Sequence, residues 1–369
     1  MFKHTTNALC CASLLALGAT VAAADGHAPS GLQVQVVSEF HDIRPANLTV
    51  TPQGRVIATM HPLDNAPIRM MEVTASGTQV PWPTMDWADG PEKGLVGITQ
   101  TVGIDTDPDG VVWVLDMGGP LQGAQFMAWD TVRNELHARV PLPQDSYLPI
   151  SFLQDFALDD KRNMAYIADM TFTLDPADAR PAIVVVNLET GEARRAMEGD
   201  KSFIPEDHEI VIDGSLVGTK DEAGNSVPYK LSLNPITIDP ENEWVYYGGV
   251  NGKTVWRIKA EHLASDMSDE EMSAKVELYG PKASSDGIKV DGGGKVYITD
   301  VVNSAIGVTT AGNYEVVAQD DVLLSWVDGL AIGPDGAVYG TQNHLHANPV
   351  LNEGEDESIR PFRIVKIQP

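Results

Sequence analysis

A β-hairpin pattern that recurs six times constrains this chain more than any other feature. Its clearest copy is Ser285–Asp300, SDGIKVDGGGKVYITD. Ile288 and Val290 alternate with polar residues, Gly292–Gly294 turn the chain, and Val296, Tyr297 and Ile298 form a second run. Alternation gives the strand period and consecutive glycines permit positive φ, so this segment predicts two antiparallel strands joined tightly. The same pattern runs through Ala46–Met60, Val102–Asp116, Asp155–Asp169, Asn234–Gly248 and Asp328–Gln342. The copies overlay without gaps. Gly54, Gly110, Asn163, Asn242, Gly294 and Gly336 fall in register, and Asn substitutes for Gly because it tolerates the left-handed region.

The copies start at intervals of roughly 40 to 80 residues, most near 50, which is the period of a propeller blade. Further strand-like runs, such as Phe126–Trp129, Ala182–Val186, Thr254–Ile258 and Ala305–Val308, could complete each blade. The fold predicted is all-β: a six-bladed β-propeller of four-stranded antiparallel blades. Gln33–Phe40 and Phe362–Ile367 are spare strands at opposite ends of the chain and would close the ring by sharing a blade. The longest interval holds Glu209–Val217 and Tyr229–Leu233, read as an extra hairpin or long loop. Ala260–Lys275 is read as the one short helix, with Ser268 and Glu271 spaced as a capping box. No linker divides the chain, so residues 25–369 are read as a single domain.

Residues 1–24 read as an export signal instead of fold. Lys3 and His4 precede an apolar run, Ala8–Ala19, and Ala22-Ala23-Ala24 supplies a small-residue cleavage site. Cys10 and Cys11, the only cysteines, lie inside that run, so the remaining 345 residues carry no disulfide or thiolate site. That usage suits a periplasmic or secreted protein stabilised by burial alone. Losing the leader removes one lysine and no acid, taking the net charge from −27 to −28. Such a surface disfavours nucleic acid and anionic membranes as partners.

The overlay also locates candidate chemistry. In a propeller the innermost strand of each blade borders the central channel. The residues two before the first apolar strand position are Ala46, Val102, Asp155, Asn234, Asp286 and Asp328. Four successive blades thus offer an oxygen, a set suited to a hard cation such as Ca²⁺ or Mg²⁺. Asp or Asn before a strand also caps turns locally, and that reading stands beside the metal one. Asp116, Asp169 and Asp300, ending the next strands, are read as loop caps. Asn303 and Asn343 follow similar strands and could reach a channel ligand. His61 follows the first hairpin and is a candidate general base. His344-Leu-His346 has metal-like spacing but sits in an acidic loop, and His208 is read as packing or capping. No G-x-S-x-G, P-loop or H-E-x-x-H motif occurs.

Several stretches resemble the bacterial branch of the major royal jelly protein/Yellow family. They are PITIDPENEWVYYGGVNGKTVWRI, SDGIKVDGGGKVYITDVVNSAIGV, WVDGLAIGPDGAVYGTQNHLHANPVLNEGEDES, QDFALDDKRNMAYIADM and PEDHEIVIDG. The resemblance implies a secreted six-bladed propeller with a small ligand at the channel mouth. Bacterial members are often named as related to dopachrome tautomerase. The S-D-G segment also resembles the wider gluconolactonase/regucalcin-like propellers, where a divalent metal polarises a lactone carbonyl. By position that implies Asp286, Asn234 and Asp155 as metal ligands; in a lactonase, Asp328 or His61 could then serve as base. The first blade departs from the pattern, placing Pro45-Ala46-Asn47 where those enzymes have a glutamate. Three functions are therefore expected in competition. The first is binding of a small polar or aromatic ligand, with or without a divalent cation and with no organic cofactor. The others are a metal-dependent lactonase and a protein-interaction propeller. If the chain is an enzyme, lactone hydrolysis and tautomerisation are the reactions implied.

Overall fold

The computed structural model describes residues 31–94, 96–171, 173 and 176–368, together with Met1. The expected leader, apart from Met1, lies outside the described residues. Six four-stranded antiparallel sheets form the blades of a propeller, as the repeat requires. Their inner strands are Pro45–Val50, Thr101–Thr106, Leu153–Asp159, Leu233–Ile238, Ile288–Val290 and Val327–Ile332, for blades 1 to 6 in order. Blade 6 is closed by both chain ends: Phe362–Gln368 is its third strand, and Gln33–Phe40 pairs antiparallel with it as the outermost. The two spare strands of the sequence thus find each other.

Apolar residues of adjacent blades interlock to form the core. Phe126 of blade 2 meets Phe156 of blade 3 edge to face at 4.9 Å, and both are buried. Burying each such ring contributes about 1.5–3 kcal/mol, so the inter-blade seams carry much of the stability.

Two elements differ in detail from the sequence reading. The helix expected over Ala260–Lys275 is two short helices, Ala260–Leu263 and Asp269–Ser273. Ser268 is extended (φ −68°, ψ 159°) and starts a new helix, its hydroxyl accepting from Glu271 N–H while the Glu271 carboxylate accepts from Ser268 N–H. The capping box is present, but it interrupts the helix. Met85–Ala88 forms a third helical turn. The long interval between blades 3 and 4 holds two small hairpins, Val211–Leu216 and Gly218–Pro228. Gly218 bridges to Asn352, docking this excursion on the C-terminal loop. Among the described residues no helix is long and apolar enough to cross a membrane.

The inner strands are irregular at the end that matters. Register shifts fall at Pro45/Leu48, Thr101/Ile104, Leu153/Asp155, Leu233/Ile236 and Val327/Leu330. Bulges of this kind re-aim side chains and cluster beside functional sites. Threonines of the second strands brace them on one half of the ring. Thr299 Oγ1 accepts from Asp286 N–H and Gly287 N–H at 3.0 Å, and Thr341 Oγ1 accepts from Gly329 N–H at 3.0 Å. Thr341 also donates to Ala46 O of blade 1, and Thr59 donates to Val102 O of blade 2 at 2.8 Å. Gly287 and Gly329 are required by closeness: a Cβ would lie 2.2 Å from Asp328 O and 1.9 Å from Asn47 Oδ1 respectively.

Replacing Thr299 by Val strands two buried N–H groups and is expected to cost about 1–3 kcal/mol. Thr237 is equally buried, but its hydroxyl has no partner. Thr237→Val is therefore expected to be near neutral. Chemical denaturation of both variants checks the contrast.

Candidate functional site

The inner-strand starts, bulged in every blade but the fifth, converge on the channel mouth, where buried acids meet amides. Asp286, 6% exposed, is gripped on both carboxylate oxygens. Asn234 Nδ2 of blade 4 donates to Oδ1 at 2.5 Å, and the Trp326 indole N–H of blade 6 donates to Oδ2 at 2.7 Å. Asp328, 3% exposed, accepts from Asn343 Nδ2 at 2.7 Å, and His61 Nε2 lies 3.8 Å from the same oxygen. Asp155 accepts from the backbone of Phe156 at 2.9 Å and from the side chain of Asn47. The four predicted oxygens are thus divided into amide-tied groups. Among the described residues no three Asp, Glu, His or Cys side chains cluster closely enough to hold a metal ion.

Burial dominates the electrostatics. It pushes Asp286 up to about 6, opposed by the hydrogen bonds of Trp326 and Asn234. It pushes Asp155 up to about 7. Asp328 is raised well above the carboxylate range by burial and by the like charges of Asp286 and Asp155. His61 is driven down to about 3 by desolvation and by Arg44, so it is neutral. Its Nδ1 accepts from Leu63 N–H at 3.2 Å, which leaves the proton on Nε2, facing Asp328. In this tautomer the Nδ1 lone pair of His61 is taken by Leu63 N–H, and its Nε2 stands 3.8 Å from Asp328, beyond hydrogen-bond reach.

A cavity of about 90 Å³ opens above Asp286. Its floor is Asp286, Asn234, Gln154 and His61; its walls are Leu63, Phe152, Met170, Leu231, Val250, Trp326, Leu345, Val350 and Leu351. Two floor atoms, Asn234 Oδ1 and Gln154 Oε1, are buried without a hydrogen-bond partner, and so is Asn343 Oδ1 beside Asp328. The roof comes from the C-terminal loop, held to blade 1 by buried Arg44. That guanidinium pairs with Asp64 at 2.9 Å and donates to Asn343 O and, at 2.7 Å, to Ser358 Oγ. Below the site, Lys289 of blade 5 and Asp105 of the opposite blade 2 form an ion pair across the channel at 2.9 Å.

Other sequence candidates lie outside this cavity. Asn303 is exposed and donates to Asp300 Oδ2 at 2.8 Å, capping its own loop. Asp116 and Asp169 accept loop N–H groups in the same way. His346 stacks on Trp326 (5.8 Å, 25°), and His344 contacts it edge-on at 4.4 Å, so the His-Leu-His segment packs the roof. His208 shares a hydrogen bond with Ser284 at 3.0 Å. Sequence reasoning did not find Trp326 or Gln154. Trp326 lies outside the hairpin repeat, and Gln154 is the residue that the bulge before Asp155 inserts.

Fold and site together define a six-bladed propeller with an acid-floored, apolar-walled cavity at one channel mouth. Residues 99–367 match the major royal jelly protein family, and the chain belongs to that family. No curated protein matches the chain at a significant level. Similar solved structures share its fold at low identity. A luciferin-regenerating enzyme has TM-score 0.56 and 11% identity, over 92% of this chain and 96% of that one. The calcium-binding protein regucalcin from Agrobacterium tumefaciens has TM-score 0.54 and 14% identity, over 91% and 93%. A gluconolactonase from Xanthomonas campestris has TM-score 0.53 and 11% identity, over 92% and 91%.

The pKa of Asp286 has a consequence for stability. A carboxyl raised in the folded state binds a proton that the unfolded chain releases, so its contribution falls as pH rises from about 4 to about 6. Asp286→Asn lacks this dependence. The stability of the variant relative to wild type is expected to improve by on the order of 2 kcal/mol between pH 4 and pH 7, read from denaturant melts.

Proposed function

We propose that the protein binds a small amphipathic molecule at the channel mouth, with a cationic or hydrogen-bond-donating head on Asp286. The observation that carries this reading is the pair of unpartnered amide oxygens, Asn234 Oδ1 and Gln154 Oε1, flanking a buried carboxylate. Each orphaned buried acceptor costs about 1–3 kcal/mol, a cost removed by a ligand that brings N–H or O–H groups. An anionic head would meet acceptors and gain nothing. Leu63, Phe152 and Val350, the lining residues that reach solvent, make an apolar rim for the rest of the ligand. The leader-like first 24 residues support an exported setting for this binding.

The same oxygens suit a hard divalent cation in chemistry. Asp286 and the free oxygen of Asn234 would hold it, and it would supply positive charge to a carbonyl or hydroxyl group of a ligand. With one carboxylate and amides as ligands, such a cation leans on the bound molecule for the remainder of its shell. Asp155 and Asp328 are tied to Asn47 and Asn343, each a step removed from this pair.

Thermal-shift and calorimetric screening with primary ammonium compounds, polyols, Ca²⁺ and Mg²⁺ tests the proposal. Ammonium or polyol probes are expected to stabilise the wild type, and Asp286→Asn to weaken ammonium binding roughly tenfold or more. Stabilisation by Ca²⁺ that vanishes in Asp286→Asn supports the cation arm. Undiminished binding in that variant, or stabilisation by none of the probes, overturns the reading. Hydrolysis of a lactone panel with divalent cations supplied replaces it by a lactonase.

A further inference from the structure

We infer that Trp326 is the positioning residue of the channel-mouth site, aiming the Asp286 carboxylate with its indole N–H and backing the ligand with its ring. The inference deepens the binding reading given above and rests on it for the identity of the bound head group. It starts from the backbone. Trp326 has φ 44°, in the left-handed region that bulky side chains rarely adopt. It stands immediately before the inner strand of blade 6, Val327–Ile332, and its carbonyl accepts from Asn343 N–H at 3.1 Å. Residues held in such a conformation persist where the surroundings over-determine them, and they cluster at ligand sites.

The side chain supplies those surroundings. Trp326 is 1% exposed, and its Nε1 reaches across the blade seam to Asp286 Oδ2 at 2.7 Å. With Asn234 on Oδ1, the carboxylate is fixed from blade 4 on one side and blade 6 on the other. Each oxygen keeps a further lone pair for a donor from the cavity. One part of the ring lines the cavity, while His346 stacks against it at 5.8 Å. Burial holds His346 down to about 3, so the backing ring is uncharged. A tryptophan serving as apolar filler needs none of this: any large apolar side chain fills space, but only an N–H donor restrains Asp286.

Trp326→Phe separates the two roles, because it keeps an aromatic wall and removes the N–H. The probes are 2-phenylethylammonium and its neutral counterpart 2-phenylethanol, titrated by calorimetry into wild type and variant. Wild type is expected to prefer the ammonium, and the variant to lose roughly tenfold of that preference, the ammonium weakening well beyond the alcohol. Equal weakening of both probes, or an unchanged preference, overturns the assignment. The crystal structure of ligand-free Trp326→Phe is expected to show the Asp286 carboxylate rotated; an unmoved carboxylate overturns it independently of any ligand. If wild type binds neither probe, the binding reading falls, and the crystal structure still decides the role of Trp326. Should the variant not fold, hydrogen exchange of the wild-type indole decides: slow exchange is expected, and solvent-like exchange overturns the inference.

Discussion

The grip on Asp286 is the interaction on which the channel mouth depends. A carboxylate this deep is costly unless both oxygens are satisfied, and the two donors come from other blades. The third blade involved, its own, contributes Thr299, which pins the backbone of Asp286 and Gly287. The site therefore exists only when blades 4, 5 and 6 are in register. Blade 6 in turn is completed by the pairing of Gln33–Phe40 with Phe362–Gln368, chain start with chain end. Ring closure and site geometry are one problem here, solved by the same strands.

The ring is not uniform, and the asymmetry has a chemical side. The second-strand position that carries Thr in blades 5, 6 and 1 (Thr299, Thr341, Thr59) carries Leu115, Ala168 and Tyr247 in blades 2, 3 and 4. The threonine half joins neighbouring blade starts by hydroxyl bridges and by glycine-permitted backbone approach, leaving Asp286 and Asp328 on rigid supports. The other half packs through apolar contacts and places Gln154 and Asn234 amides, which are left partly unsatisfied. Rigid carboxylates face amides that still have an oxygen to offer.

The blade repeat was legible because strand period and turn chemistry repeat in phase, so six weak signals reinforce one another. The family resemblance was legible on the same segments. The acids of the mouth were found because they occupy equivalent positions in the overlay. Their pairing was not, since Asn343 and Trp326 lie outside that alignment, Asn47 stands one place beyond the acids' position within it, and all three meet the acids only through the closed ring. Gln154 was hidden by a bulge: an overlay without gaps selects Asp155, while the inserted residue beside it lines the cavity. The broken helix has a similar cause, because a capping box marks a start that a continuous apolar pattern hides. Asn303 shows the converse error of position, an equivalent residue whose bond to Asp300 is purely local.

What remains is why the mouth should favour positive charge when cations lie close by. Arg44 is fully engaged by Asp64, Asn343 O and Ser358. Lys282, buried and lowered to about 7 chiefly by desolvation, donates to Gly249 O, Ala283 O and Ser285 Oγ. Lys289 is held across the channel by Asp105. Each cation has its own acceptors and none bonds Asp286, although the charge of Lys282 is felt there; the two donors to its carboxylate, Asn234 and Trp326, are neutral. Neutral donors stabilise the ionised carboxylate without cancelling its charge, and the apolar walls above it preserve the resulting field from solvent screening. An incoming ammonium or hard cation therefore meets an anion already oriented, partly desolvated and in direct contact with no cation.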